Sequence, residues 1–178
     1  MHLLCVDRCI PLLIQQNVNS REHERDFFNR SWSEFKAGFN DSRGNYWLGL
    51  ELLHRLTLSG RYKLKFELQS RLNLNWYYAE YRTFIVLGET LEYLVHMGGY
   101  SGNAGQDSFR LQNGMMFSTF DRDNDQSMKN CARLNYSGFW LKSCSSAVNV
   151  NAVSHGFQWY GLPGGSALNT ARMWLQCQ

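Results

Sequence analysis

The sequence predicts an α+β fold: a twisted antiparallel sheet, short helices and a long loop-rich region. Two observations carry this expectation. Tyr62, Leu64, Phe66 and Leu68 alternate with Lys63, Lys65, Glu67 and Gln69, a period of two with one wet face that favours an antiparallel sheet. After Gly98 the periodicity fades into segments rich in Gly, Asn and Ser. So much irregular chain in a globular protein is usually functional, or held by metals and disulfides.

The elements follow in chain order. Met1 to Pro11 places Asp7 and Arg8 inside its apolar stretch and has no proper hydrophobic region, so it makes a poor signal peptide. Residues 1–24 read as a divergent or truncated N-terminal segment ahead of a domain over 25–178. Asn29 to Phe39 reads as a short helix, because Ser31 and Glu34 have capping-box spacing and Trp32, Phe35 and Phe39 share one face. Gly49 to Gly60 reads as a second helix ended by its glycine. Lone His54 on it is expected in the core or at its boundary, not as a ligand. The alternating strand over Arg61–Gln69 comes next, and further strands are expected from Trp76 to Leu87 and from Leu91 to Met97.

Composition narrows the function classes. A length of 178 residues suits one domain with a real core. Six Trp, nine Tyr and eleven Phe beside only two Pro suit a compact protein whose aromatics anchor irregular connections. A net charge of +3, with Lys and Arg dispersed, argues against a nucleic-acid partner. No apolar run approaches the roughly 20 residues of a membrane helix. No Walker A, HExxH or GxSxG pattern occurs, and the five histidines form no partnered set, so no enzyme is expected.

The five cysteines are an odd number. Cys131 and Cys144 look like a short-range pair; Cys5, Cys9 and Cys177 lie at the two ends, enough to bridge the termini and leave one thiol free or intermolecular. The sequons at Asn29, Asn40 and Asn135 are compatible with secretion and glycosylation.

The densest chemistry lies in Phe117–Cys131, where Asp121, Asp123 and Asp125 recur at every second position. Hard oxygen donors in a flexible loop suit Ca²⁺, which takes six to eight oxygens at loose geometry. An EF-hand needs Gly at loop position six and Glu at position twelve. Counted from Asp121 these are Gln126 and Ala132, so that motif is excluded.

Many short runs, in order, together resemble the fibrinogen C-terminal domain family, which includes ficolins, tachylectins, tenascins and angiopoietins. The runs include Phe28-Asn-Arg-Ser-Trp32, Gly44-Asn-Tyr-Trp-Leu-Gly49, His54-Arg-Leu-Thr57 and Tyr78-Ala-Glu-Tyr81. They continue through Gly98-Gly-Tyr-Ser-Gly102, Asn113-Gly-Met115, Phe117 to Asp125, Asn130-Cys-Ala132 and Gly156-Phe-Gln-Trp159. They cover roughly residues 25–175. The resemblance implies a Ca²⁺ ion held by the Asp123 and Asp125 side chains and by the carbonyls of Ser127 and Lys129, with Asp121 set back from the ion. It also implies a Cys131–Cys144 disulfide and a cis peptide at Ser143–Cys144.

Lectins of this family hold acetyl groups beside the calcium loop, enclosing a methyl in an apolar cup while donors hold its carbonyl. The ligand set implied here is Asn135, Tyr136, Phe139, Trp140, Ser143, Cys144, Ser145 and Ser154. Three departures alter it. Either Asn135 or Tyr136 takes the place of the family's tyrosine, with Tyr136 preferred because Tyr136 to Trp140 then matches the aromatic stretch. Ser145 stands where a histidine is usual. The Cys144–Gly156 segment is short and leaves Val153-Ser154 where Tyr-Ala is expected. Each lost polar contact is worth about 1 kcal/mol or more, so acetyl recognition should weaken. The expectation is a secreted, oligomeric, calcium-stabilised module that binds glycans in innate defence. The alternative is a module that binds a protein receptor and has no sugar pocket.

Overall fold

A computed structural model describes residues 11–18, 27–145, 148–152 and 157–178. Its strands are β1 (Leu12–Val18), β2 (Phe39–Asn40), β3 (Tyr46–Trp47), β4 (Tyr62–Ser70), β5 (Trp76–Val86), β6 (Val95–Gly102), β7 (Phe117–Ser118), β8 (Phe139–Trp140), β9 (Val148–Asn149), β10 (Gln158–Trp159) and β11 (Leu168–Cys177). The α-helices are α1 (Trp32–Ala37), α2 (Leu50–Thr57) and α3 (Cys131–Leu134). Seven strands form one sheet in the order β2-β3-β1-β11-β4-β5-β6, and its pairings are antiparallel.

The two predicted helices form where the sequence places them. The Ser31 side chain takes the Glu34 amide while the Glu34 carboxylate takes the Ser31 amide at 2.9 Å. Helix α1 ends at Gly38, whose φ of 93° favours glycine and where a Cβ would lie 2.5 Å from the Leu48 carbonyl oxygen. Trp32 and Phe35 are buried; Phe39 lies past the helix in β2 and is half-buried. His54 is half-buried, with Nδ1 2.8 Å from the Val86 carbonyl.

The wet and dry faces of β4 fall as predicted. Leu64, Phe66 and Leu68 are buried, and Lys63, Lys65, Glu67 and Gln69 are half-buried on the other face. The sheet's inner face meets an aromatic core. Phe66 packs edge-on against Phe109 and Trp159, and Phe35, Trp47, Phe117 and Trp140 form a second cluster with centroids 5.1–6.3 Å apart. The edge-to-face pairs among these, Phe66 with Phe109 and Trp159, Phe35 with Trp47, and Phe117 with Trp140, add about 0.5–1.5 kcal/mol each beyond burial.

Three strand expectations need correction. The strand expected over Leu91–Met97 begins at Val95, after a 3₁₀ turn at Glu89–Leu91, and continues through Gly98 and Gly99 to Gly102. The loop-rich half contains β11, a ten-residue strand between β1 and β4. A bulge between Leu168 and Thr170 shifts its alternation, which hides the period. Strand β1 carries the sheet upstream of residue 25, the boundary read from the motifs. Its pattern is masked by Gln15 and Asn17, both buried and both donating to the Val150 carbonyl.

Candidate functional site

The acidic loop follows β7, and its alternate residues divide the work. Arg122 pairs with Glu92 at 2.7 Å and lies over the Trp32 ring at 4.2 Å. Asn124 donates to the Phe117 carbonyl at 2.8 Å, and its amide reaches the Ser118 hydroxyl. These inward anchors hold the loop to the core. Asp123, between these anchors, is exposed, and Asp125, just after them, is half-buried.

The three aspartates do not act alike. Asp121 Oδ1 accepts from the Trp32 amide at 2.9 Å and from Thr119 Oγ1 at 2.7 Å, so it caps the start of α1 and ties that helix to the loop. Asp125 takes the Ser127 amide on Oδ1 at 2.7 Å and the Cys131 amide on Oδ2 at 2.8 Å, and its own amide donates to Asp123 Oδ1 at 3.3 Å. Burial, followed by the charge of Asp123, raises the Asp125 pKa above the usual carboxylate value, although its two backbone hydrogen bonds pull the other way. Two carboxylates held side by side against that repulsion fit a cation. Among the described residues no three His, Cys, Asp or Glu side chains gather as a metal cage. Completion by the Ser127 and Lys129 carbonyls would give an all-oxygen set, which suits Ca²⁺ better than a soft metal.

The loop leads into α3. Asn130 caps it by accepting from the Arg133 amide at 2.7 Å and donates to the Thr119 and Phe120 carbonyls. Cys131 and Cys144 are disulfide-bonded. Cys177 is disulfide-bonded as well; Cys5 and Cys9 lie outside the described residues. No peptide among the described residues is cis, so the Ser143–Cys144 bond expected to be cis is trans.

The expected ligand residues separate into three groups. Tyr136 is 50% exposed at φ 48°, the left-handed region that costs a bulky residue free energy. Asn135 ends α3 and donates weakly to the Cys144 carbonyl at 3.5 Å, bringing Asn135, Tyr136 and Cys144 together; Ser143 is half-buried and Ser145 exposed. Phe139 and Trp140 are the second group, and here the expectation is corrected: both are 0% exposed. They are core residues because β8 pairs with β7, which turns Trp140 inward, where its Nε1 donates to the Tyr93 carbonyl at 2.8 Å. Ser154 lies outside the described residues. Of the sequon residues, Asn40 is exposed, while Asn29 and Asn135 are half-buried.

Sequence reasoning missed the anchoring residues Arg122, Asn124, Glu92 and Asn130. Only Asn130 left a local signal, as a cap residue directly before a short helix.

Comparison with known proteins places the chain. The family described as "Fibrinogen beta and gamma chains, C-terminal globular domain" matches residues 12–170. The chain belongs to this fibrinogen C-terminal domain family. It is 40% identical over 151 residues to chicken (Gallus gallus) tenascin, covering 81% of this chain and 8% of tenascin. It is 43% identical over 119 residues to human (Homo sapiens) ficolin-3, covering 67% of this chain and 39% of that protein. Mouse (Mus musculus) angiopoietin-related protein 7 is 37% identical over 147 residues, covering 77% of this chain and 43% of that protein. The chain thus spans less than half the length of these curated relatives. Among solved structures, the fibrinogen-like globe domain of human ANGPTL2 superposes with a TM-score of 0.80 at 32% identity, covering 93% of this chain and 79% of that one.

Proposed function

We propose that this chain is an extracellular, non-enzymatic recognition module, braced by one Ca²⁺ ion at Asp123 and Asp125, that binds a protein partner beside Cys131–Cys144. One observation carries the choice of partner. Met128, Leu134 and Tyr136, which flank Cys131 in sequence, are 105%, 54% and 50% exposed. Exposed apolar residues crowded into so short a segment suit a protein interface better than a small polar cup. The burial of Phe139 and Trp140 points the same way, because it removes two aromatics from any acetyl pocket.

The ion's part would be structural. Asp125 holds the amides of Ser127 and Cys131, so a cation there would stiffen the loop that carries Met128 and the helix that carries Leu134. Extracellular placement is supported by the Cys131–Cys144 disulfide. No helix among the described residues is long and apolar enough to cross a membrane. Self-association beyond one chain would serve by multivalency. A glycan ligand is the second reading, favoured by the polar Asn135–Cys144 contact with exposed Ser145 next in the chain, and by the identity to ficolin-3.

Parallel arrays of glycans and extracellular receptor ectodomains separate the two. The protein reading predicts an ectodomain hit that Tyr136→Ala weakens about tenfold or more, with the N-acetylated glycans silent. Glycan binding that chelator abolishes, with no ectodomain bound, would overturn it.

A further inference from the structure

The turn joining β4 to β5 displays apolar side chains that its own geometry does not need. Leu72, Leu74 and Trp76 are 82%, 59% and 44% exposed. Asn73 and Asn75 alternate with them and build the turn. Asn73 Oδ1 accepts from the Asn75 amide at 3.0 Å, and Asn73 Nδ2 donates to the Tyr77 hydroxyl at 3.0 Å. Leu74 sits at φ 59°, in the left-handed region that Gly or Asn enters at less cost. A leucine placed there with its side chain in water is a departure from what the turn itself favours.

The backbone amides of this tip are satisfied within the protein. The Ser70 amide reaches the Asn75 carbonyl at 3.0 Å, the Arg71 amide reaches the Ala167 carbonyl at 2.9 Å, and the Leu74 amide reaches the Ser70 carbonyl at 3.1 Å. The Ser70 hydroxyl accepts from the Leu72 amide at 3.1 Å and the Asn73 amide at 3.5 Å. With Asn75 bonded to Asn73, each amide from Ser70 to Asn75 has an acceptor inside the protein. Gln69 Nε2 also occupies the Leu74 carbonyl at 3.0 Å. Such a tip can leave bulk water without stranding an amide donor, which is half of what a lipid medium asks of the backbone.

The chemistry is also graded along the hairpin. Leu72 and Leu74 lie at the turn. Trp76 follows at the start of β5, with the Arg172 guanidinium 5.0 Å from its ring centroid. Arg71 is exposed beside the tip and enters no salt bridge among the described residues. Arg172 is engaged by Glu67 at 3.9 Å and by Gln16 at 2.9 Å, which leaves Arg71 as the cation of the tip. Aliphatic side chains leading, an indole behind them and a guanidinium alongside match the chemistry of a bilayer interface.

We propose that the β4–β5 tip, formed by Leu72, Leu74 and Trp76 with Arg71, docks on an anionic lipid surface. A protein groove could accept the same leucines, but a tip whose amides are already used presents few donors for a specific partner to read. These residues are distinct from the segment around Cys131–Cys144, so the inference does not depend on the recognition reading above.

Co-sedimentation of the full chain with phosphatidylcholine vesicles, with and without phosphatidylglycerol, tests it. The wild-type chain should pellet with the anionic vesicles in calcium and in chelator alike. The double variant L72N/L74N should lose that binding about tenfold or more, yet fold normally, because Asn accepts the left-handed position more readily than Leu. R71Q should cut the preference for anionic over neutral vesicles about fivefold, the worth of one cation at a charged surface. The proposal is overturned if anionic vesicles are not bound, or if L72N/L74N binds them like wild type. It is equally overturned if the double variant spares vesicle binding but loses an ectodomain ligand instead.

Discussion

At the scale of single residues, the acidic loop shows how one motif hides several roles. The period-two aspartates were legible because carboxylate spacing is a local property. The use of Asp121 was not legible. Its partner, the Trp32 amide, lies 89 positions away, and nothing local marks a helix cap supplied from such a distance. Tyr136 was legible as a candidate, but Phe139 and Trp140 were misplaced because an aromatic run looks the same whether it lines a pocket or fills a core. The loop's charge balance makes a test. Asp123→Asn removes the like charge beside Asp125, whose pKa is raised by burial first and by that charge next. In chelator the variant should be as stable as wild type or slightly more so. In calcium it should lose the ion's stabilisation, which is about 2.7 kcal/mol at a hundredfold excess over Kd, or roughly 5–10 °C in melting temperature. Calorimetric melts of both proteins in both buffers check it; a variant that melts well below wild type in chelator would contradict the account.

At the scale of elements, α1 and β4 were readable for the same reason: each carries its periodicity and its boundary signals in adjacent residues. Strand β11 was not, because its bulge between Leu168 and Thr170 breaks the alternation and its neighbours β1 and β4 are remote in sequence. Helix α1 is short, so its N-terminal contacts matter more than its propensity. Ser31→Ala should cost about 1 kcal/mol, a typical value for a lost cap. The Glu34 pKa is lowered, chiefly by the Ser31 amide and then the Ser31 hydroxyl. A carboxylate with a depressed folded pKa contributes stability above its unfolded value of 4.5 and loses it as pH falls through the folded value. Glu34→Gln should therefore destabilise the protein at neutral pH, and the gap from wild type should close in acid. Urea melts at neutral and acidic pH measure that gap; a constant gap would remove Glu34's charge from the explanation.

At the scale of the whole molecule, β11 is inserted between β1 and β4, so the last strand in sequence completes the sheet's centre. The aromatic core then spans the sheet and the loop-rich part: Phe66 on β4 meets Trp159 on β10, while Phe117 before the acidic loop meets Phe35 on α1. The acidic loop is fastened to the same body through Asp121–Trp32 and Arg122–Glu92. An ion bound at Asp123 and Asp125 would thus be felt as stability of the entire domain as well as order in one loop. Titration calorimetry of the chelator-stripped chain with CaCl₂ tests this most directly. The account predicts one Ca²⁺ bound per chain, a rise in melting temperature on binding, and loss of both in D123N/D125N. Absence of calcium binding, or binding that survives the double substitution, would contradict it.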